Sequence, residues 1–297
     1  MLAKLTKYRW QYVMILPGII LLFLFSYIPM AGIQVAFKNF HIGYTIWNAP
    51  WTGFENFSFL KDDQFWMVVR NTIVIALLKF VFGFPAPILL ALLINEVRHN
   101  GYKRFVQSVS YLPHFFSWIV VAYILQSLLT LDGGLVNELV RKAGKDPIFF
   151  LGSTDWFRPM VVVSSLWKEV GWNTILYLAA ITTIDPQLYE AAKVEGAGRM
   201  SQIRHITLPG IMPTISIVLI LSMPSLINVG MDQIYPLMNP ANQPVADVLD
   251  TYILRNGLQQ GYFGMATAVG LLSSAISLIL VLITNQLSRK INGEGLW

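Results

Sequence analysis

The sequence predicts an all-α integral membrane protein with six transmembrane helices, and three observations carry that prediction. Hydrophobic residues make up 55% of the 297 residues and charged residues only 12%, against the roughly 25% of an average soluble domain; so little charge cannot clothe a globule of this size in water. Six apolar stretches, 12–37, 68–94, 105–131, 160–184, 211–230 and 265–287, are each close to the ~20 residues that cross a hydrocarbon core of about 30 Å. The charges between them are sorted by side. Periodicity refines none of the boundaries, because a helix that is wet on neither side lacks a single polar face.

The first stretch follows Lys4, Lys7 and Arg9, as a secretory signal would, but it is longer than the 7 to 15 residues of a signal core and is read as a retained helix. With residues 1–11 in the cytoplasm, the inner segments collect those three residues together with Arg98, Lys103, Arg104, Lys193, Arg199, Arg204, Arg289 and Lys290. Against them stand only Glu96, Asp185, Glu190, Glu195 and Glu294, while the outer segments are acidic on balance. Positive loops stay inside, so both termini, the second being 288–297, are expected in the cytoplasm, flanking a six-helix transmembrane domain over 12–287. The formal net charge of +5 is thereby a topology signal, and no nucleic-acid partner is called for.

Three outer loops, after Phe37, Leu131 and Gly230, are too short for a catalytic domain and too long for tight turns; they are expected to form short helices that cap the outer face. Prolines 85, 87, 113, 213 and 224 lie in or near spans and are expected to kink them. The chain has no cysteine, and His41, His99, His114 and His205 are scattered, so no disulfide, thiolate metal site or local histidine motif is available. No G-x-x-x-x-G-K-[ST] loop, G-x-G-x-x-G turn or G-x-S-x-G elbow occurs, so nothing here cradles a nucleotide or forms an acyl-enzyme.

One inner segment, 185–209, is unusual. Asp185-Pro186 reads as a helix start, since the carboxylate can cap free amides and proline tolerates the first helical position. Gln187 to Glu195 are mostly good helix formers, Gly196 and Gly198 end the helix, and a second short helix is expected from Ser201 to Pro209. Leu188, Ala191, Ala192 and Glu195 share one face, whose alanines permit close approach by another surface.

The spacing Glu190-Ala191-Ala192, three residues, Gly196, nine residues, Ile206, one residue, Leu208-Pro209 resembles the EAA signature of the membrane permease subunits of bacterial binding-protein-dependent ABC importers. Gly53 with Asn56-Phe57, Arg70-Asn71-Thr72, Tyr111-Leu112-Pro113, Trp167-Lys168 and Leu178-Ala179-Ala180 are similar to the carbohydrate-uptake branch that includes the maltose permeases. LPHFFSW (Leu112 to Trp118), Thr251-Tyr252 and the terminal Leu296-Trp297 look like the subgroup that imports larger, often uronate-containing oligosaccharides. Glu195 stands where the family usually has Asp.

That resemblance implies a division of labour. The chain would sit in the bacterial cytoplasmic membrane beside a second homologous permease, with two cytoplasmic ATPases holding ATP and magnesium and a solute-binding protein docking outside; this chain would bind no cofactor and catalyse nothing. Glu190, Ala191, Ala192, Glu195, Gly196, Leu208 and Pro209 would form the coupling element seated on an ATPase. Laid over the maltose-type pattern, the pocket positions fall on His114, Trp118, Ser165, Lys168, Glu169, Trp172, Ser222, Leu226 and Val229. The last two are apolar where that pattern is polar, so Ser225, Asn228 and Asp232 are the substitutes.

The residues themselves also suit a sugar. Aromatic faces stack on the CH patches of a pyranose while amides, hydroxyls and charges bond its hydroxyls, and the fourth stretch interleaves Trp167, Lys168, Glu169, Trp172, Asn173 and Tyr177. Lys168 and His114 would suit an acidic saccharide. Lys168 and Glu169 are adjacent, about 100° apart on a helix, and so are no natural i, i+4 pair; Lys79, in the second stretch, is read as structural. The alternative is an ion-coupled secondary sugar carrier, which needs titratable groups along the path and internal repeats. Only Glu169 meets the first requirement in mid-span, and the halves are not alike.

Overall fold

The computed structural model describes residues 8–293 and 295–296; Lys4, Lys7, Glu294 and Trp297 lie outside the described residues. Among the described residues there is no strand, and the single β contact is an isolated antiparallel bridge between Lys38 and Trp51. The long helices are α1 (Arg9–Phe37), α2 (Asp63–Gly83), α3 (Pro85–Glu96), α4 (Asn100–Tyr111), α5 (Trp118–Leu129), α6 (Leu135–Lys142), α7 (Thr154–Thr182), α8 (Pro186–Val194), α9 (Arg199–Gly210), α10 (Met212–Ser222) and α11 (Phe263–Asn292).

Among the described residues, three continuous helices, Arg9–Phe37, Asp63–Glu96 and Phe263–Lys290, are long and apolar enough to cross a membrane, and the number rises to five if each of two bent pairs counts as one span. The differences from the six-stretch reading have physical causes. The stretch 105–131 is not one rod: α4 runs through the turn Leu112–Phe115 and meets α5 at 99°. Pro113 stands in that turn, and Ser117 restarts the helix by accepting a bond from the Val120 amide (3.3 Å). The stretch 211–230 follows a 58° bend between α9 and α10, where Pro213 occupies the first turn of α10, and Pro224 opens the short turn Met223–Leu226 beyond it. The fourth stretch lies within α7, which is 29 residues long but is diluted by Arg158, Lys168, Glu169 and Asn173.

The chain divides into two compact units. The first, Met1–Asp62 with Ile253–Leu272, carries the G-x-x-N-F pattern. Gly53 turns the chain at φ +64°, and the Asn56 amide donates to the carbonyls of Ala36 (3.1 Å) and Lys38 (2.9 Å). Lys38 itself is buried, bonding the Ile46 carbonyl (2.6 Å) beneath the Trp51 ring.

The second unit, Asp63–Tyr252 with Ser273–Trp297, is organised around α7, which packs against α2, α3 and α4. Ser153 caps α7 by accepting from the amides of Asp155 and Trp156. Gly171 allows the closest approach, since a Cβ there would stand 2.0 Å from the Ser110 carbonyl oxygen on α4. One apolar cluster joins Ile75, Ala122, Phe157, Met160, Val161, Ile234 and Val248, and a second joins Ala91, Tyr177, Ile181 and Ile211. The loop after Gly230 folds into short helical turns and is fastened by buried polar groups. The Asn71 amide donates to the Pro244 and Asp247 carbonyls (2.9 and 3.1 Å) and its oxygen accepts from Arg158 (3.1 Å), while Thr72 accepts from the Leu249 amide (2.9 Å). The Arg70-Asn71-Thr72 pattern is thus an anchor for this loop, as buried polar groups must be paired.

Candidate functional site

A cavity of about 500 Å³ opens between α2, α3, α7, α10 and the chain leading to Gly230. Its polar lining comes from Lys79, Ser165, Glu169, Asn173, Ser222, Ser225 and Asn228, and its aromatic lining from Phe80, Phe84 and Tyr177. Phe80 and Phe84 stack with centroids 5.2 Å apart, being one helical turn apart just before Pro85, where α2 passes into α3. Donors and acceptors interleaved with flat apolar faces match the chemistry of a polyhydroxylated ligand.

The residues singled out from sequence separate into two groups here. Ser165, Glu169, Ser222, Ser225 and Asn228 line the cavity, as does Val229. His114, Trp118, Lys168 and Trp172 do not line it but form a cluster behind Glu169, at the bend between α4 and α5. Leu226 packs on the apolar cluster of Ile75, Phe157 and Ile234 instead, and Asp232 is exposed away from the lining.

That cluster is a connected polar unit. A carboxylate only accepts, so the His114 Nδ1 donates to Glu169 Oε2 (2.9 Å). Lys168 Nζ lies 3.3 Å from Glu169 Oε1 and donates to the His114 carbonyl (2.7 Å), with the Trp118 ring 5.2 Å away. The adjacent pair that helical geometry keeps apart is therefore joined, because both side chains turn toward the same bend. Lys168 is 5% exposed and its donors are engaged, so the cation expected from sequence to meet an acidic ligand is used internally.

The cation that does line the cavity is Lys79, which sequence reasoning set aside as structural. Its Nζ donates to the Val229 carbonyl (2.8 Å) and to Gln233 Oε1 (2.8 Å). A mid-span lysine was the available signal, since charge inside the bilayer is costly and turns toward a cavity or a partner. Asn173, Tyr177 and the Phe80–Phe84 pair were also outside the pocket positions assigned by resemblance. Among the described residues no group of three His, Asp or Glu could hold a metal ion.

On the segment 185–209, α8 begins where Asp185 accepts from the Gln187 amide (2.9 Å) and ends at Gly196, which takes φ +80°. There the Gly196 amide donates to the Lys193 carbonyl (3.1 Å) and the Ala197 amide to the Ala192 carbonyl (2.8 Å), a Schellman closure. The second helix begins at Arg199 rather than Ser201, with Gly198 at its N-cap and a looser π turn over Ile203–Thr207. Tyr189 and Thr207 join the two helices through their hydroxyls (2.9 Å). Glu190, Ala191, Glu195 and Gly196 are exposed, Ala192 is half-buried, Leu208 packs against the cluster of Ala91, Tyr177, Ile181 and Ile211, and Pro209 is exposed. Val194, 90% exposed, stands out as an apolar side chain in the open. Among the described residues Glu190 has no ion-pair partner.

Comparisons with known proteins agree with one another. The model for the binding-protein-dependent transport system inner membrane component matches residues 83–293. The polygalacturonan/rhamnogalacturonan transport system permease protein YteP of Bacillus subtilis (strain 168) is 46% identical over 298 residues, covering 100% of this chain and 93% of that one. Protein LplB of the same organism is 43% identical, with 100% and 93% covered. A chain in the crystal structure of a bacterial alginate ABC transporter, in complex with an alginate pentasaccharide-bound periplasmic protein, superposes with a TM-score of 0.92 at 40% identity, covering 100% of this chain and 99% of that chain. The chain belongs to the family of binding-protein-dependent transport system inner membrane components, multi-pass permease subunits of ABC transporters and not enzymes.

Proposed function

We propose that this chain is the permease subunit of an ATP-driven importer that passes an acidic oligosaccharide across the cytoplasmic membrane. The observation that carries the reading is the cavity beside α7, lined by hydroxyls, amides, a lysine and stacked aromatics, in a chain 46% identical to a permease for polygalacturonan and rhamnogalacturonan. An extracytoplasmic solute-binding protein delivers the saccharide, and a second homologous permease completes the pathway. Six spans cross the membrane with both termini inside, the bent pairs α4–α5 and α9–α10 and the polar α7 each counting as one.

Two cytoplasmic ATPases, which hold ATP and magnesium, drive the change between inward-open and outward-open forms through α8, with Glu190 facing a basic residue of the ATPase. The exposure of Glu190 and Ala191 supports that docking. Coupling is then a difference in contact between two states.

The test is reconstitution of the chain with its partner permease, ATPases and binding protein into proteoliposomes. Uptake of trigalacturonate is expected to require internal ATP and to persist when proton and sodium gradients are collapsed. Uptake that follows an ion gradient and ignores ATP would sink the proposal in favour of a secondary carrier.

A further inference from the structure

Resting on the reading of the cavity as the saccharide path, we propose that Lys79 is the residue that selects an acidic saccharide over a neutral one, by bonding a carboxylate of the cargo.

The argument starts from how the charges around the cavity are satisfied. Glu169 is answered from behind: one carboxylate oxygen accepts from His114 (2.9 Å) and the other lies 3.3 Å from the Lys168 ammonium. Lys168 is spent on that carboxylate, on the His114 carbonyl and on the Trp118 ring. Lys79 differs on every count. It lines the cavity, and the acceptors it holds are neutral: the Val229 carbonyl and the Gln233 amide oxygen, each at 2.8 Å. Among the described residues no carboxylate lies within ion-pair distance of it. Glu169 and Asp250 act on it only at longer range.

An ammonium has three donors and no acceptor capacity. Two donors are used on neutral acceptors, which leaves one N–H and a charge with no carboxylate in direct contact on the wall of the cavity.

The head group is also held in place. Gln233 is 1% exposed, and its own amide nitrogen is fixed by the Val161 carbonyl (2.7 Å) and the Ser164 hydroxyl (3.0 Å), so its oxygen is presented to Lys79 in one orientation. A fixed donor beside an unpaired charge is the arrangement that rewards an anion most. The surroundings then suit the rest of a uronate ring: Phe80, adjacent to Lys79 on α2, offers a flat apolar face, and Ser165 and Ser222 offer hydroxyls. In an apolar interior a charge without a partner is unfavourable, and a cargo carboxylate relieves it.

The test is equilibrium binding to the assembled complex of both permeases and both ATPases in lipid nanodiscs, without the binding protein, so that selection by that protein plays no part. The probes are trigalacturonate and its methyl ester, alike in shape but not in charge. Wild-type complex is expected to bind the acid about tenfold more tightly than the ester. Lys79→Gln should weaken the acid about tenfold and the ester far less, so that the preference is lost, and Lys79→Arg should keep the preference. Raising ionic strength should weaken the acid alone, a measurement on the wild-type complex that stands whether or not a variant assembles. Equal loss for both probes in Lys79→Gln would mean a structural role and overturn the proposal, as would equal affinity for both probes in the wild type. If ATP-driven uptake of trigalacturonate holds while these preferences are missing, Lys79 alone is refuted; if no saccharide is taken up, the transport reading falls as well.

Discussion

The imidazole of His114 lies flat on the indole of Trp172, with centroids 4.4 Å apart and planes within 3°. The ring that stacks is the same one that donates to Glu169, so the 99° bend between α4 and α5 is clamped to α7 by an apolar face and a polar edge at once. Trp172→Ala removes the stack and the edge contact that Phe115 makes with the indole at 5.7 Å. The assembled complex is expected to lose about 1–2 kcal/mol, since an aromatic pair contributes about 0.5–1.5 kcal/mol beyond its area and the indole is partly exposed. Thermal unfolding of the purified complex measures it, and an unchanged melting temperature would show that the clamp bears no strain.

Lys168→Ala is expected to impair neutral and acidic cargo alike, because the ammonium serves Glu169 and the His114 carbonyl. The loss of stability should be about 2 kcal/mol, below the roughly 3–5 kcal/mol of a fully buried pair, as Glu169 keeps 30% side-chain exposure. Uptake of a neutral oligosaccharide and of a uronate, measured side by side, checks this; selective loss of the uronate would return Lys168 to the cargo path.

Gly196→Pro and Glu190→Lys are expected to leave membrane insertion intact and to abolish stimulation of ATP hydrolysis by liganded binding protein. The first removes the amide that bonds the Lys193 carbonyl and imposes a negative φ where the chain needs +80°. Even Gly196→Ala should cost about 1 kcal/mol locally, the left-handed penalty of a side chain. Normal stimulation in the proline and lysine variants would remove α8 from the coupling route.

Gly171→Val is expected to prevent a stable complex, because even the first carbon of the side chain would overlap the Ser110 carbonyl. Size-exclusion profiles of the detergent-solubilised complex give the readout, with Gly270→Val, a position where a Cβ meets nothing within 4 Å, as the control.

Much of this arrangement is legible in the residues. Asp185-Pro186 predicts the start of α8 and Gly196 its end because capping and positive φ are local properties of one or two residues. The bends at Pro113 and Pro213 are readable as kinks, but their angles are not, since 99° and 58° are set by what α4 and α9 pack against. The stretch 105–131 looks like one rod because hydropathy averages over the turn at Leu112–Phe115.

Ser165, Glu169, Ser222, Ser225 and Asn228 do meet around one cavity. The partners of the two mid-span lysines were not legible, because sequence distance says nothing of which carbonyls lie within 3 Å. Lys168 is occupied by a carbonyl 54 residues away, while Lys79 reaches the Val229 carbonyl 150 residues on. Asn71 is similar: its neighbours announce a pattern, and only the fold reveals that it holds a loop more than 170 residues distant.

The closures at the two ends of α8 bear on energy as well as on shape. A nine-residue helix is short of the ~12–15 residues that isolated helices need even for marginal order in water, yet this one is finished by its own chain, with Asp185 at the start and the amides of Gly196 and Ala197 at the end. Its link to Thr207 ties it further to the helix that leads into α10. Under the proposed docking, an ATPase that receives it would meet an element already ordered, and little of the binding energy would be lost to conformational entropy. A rigid, pre-ordered contact would also transmit displacement instead of absorbing it, which is what the proposed coupling role asks of α8.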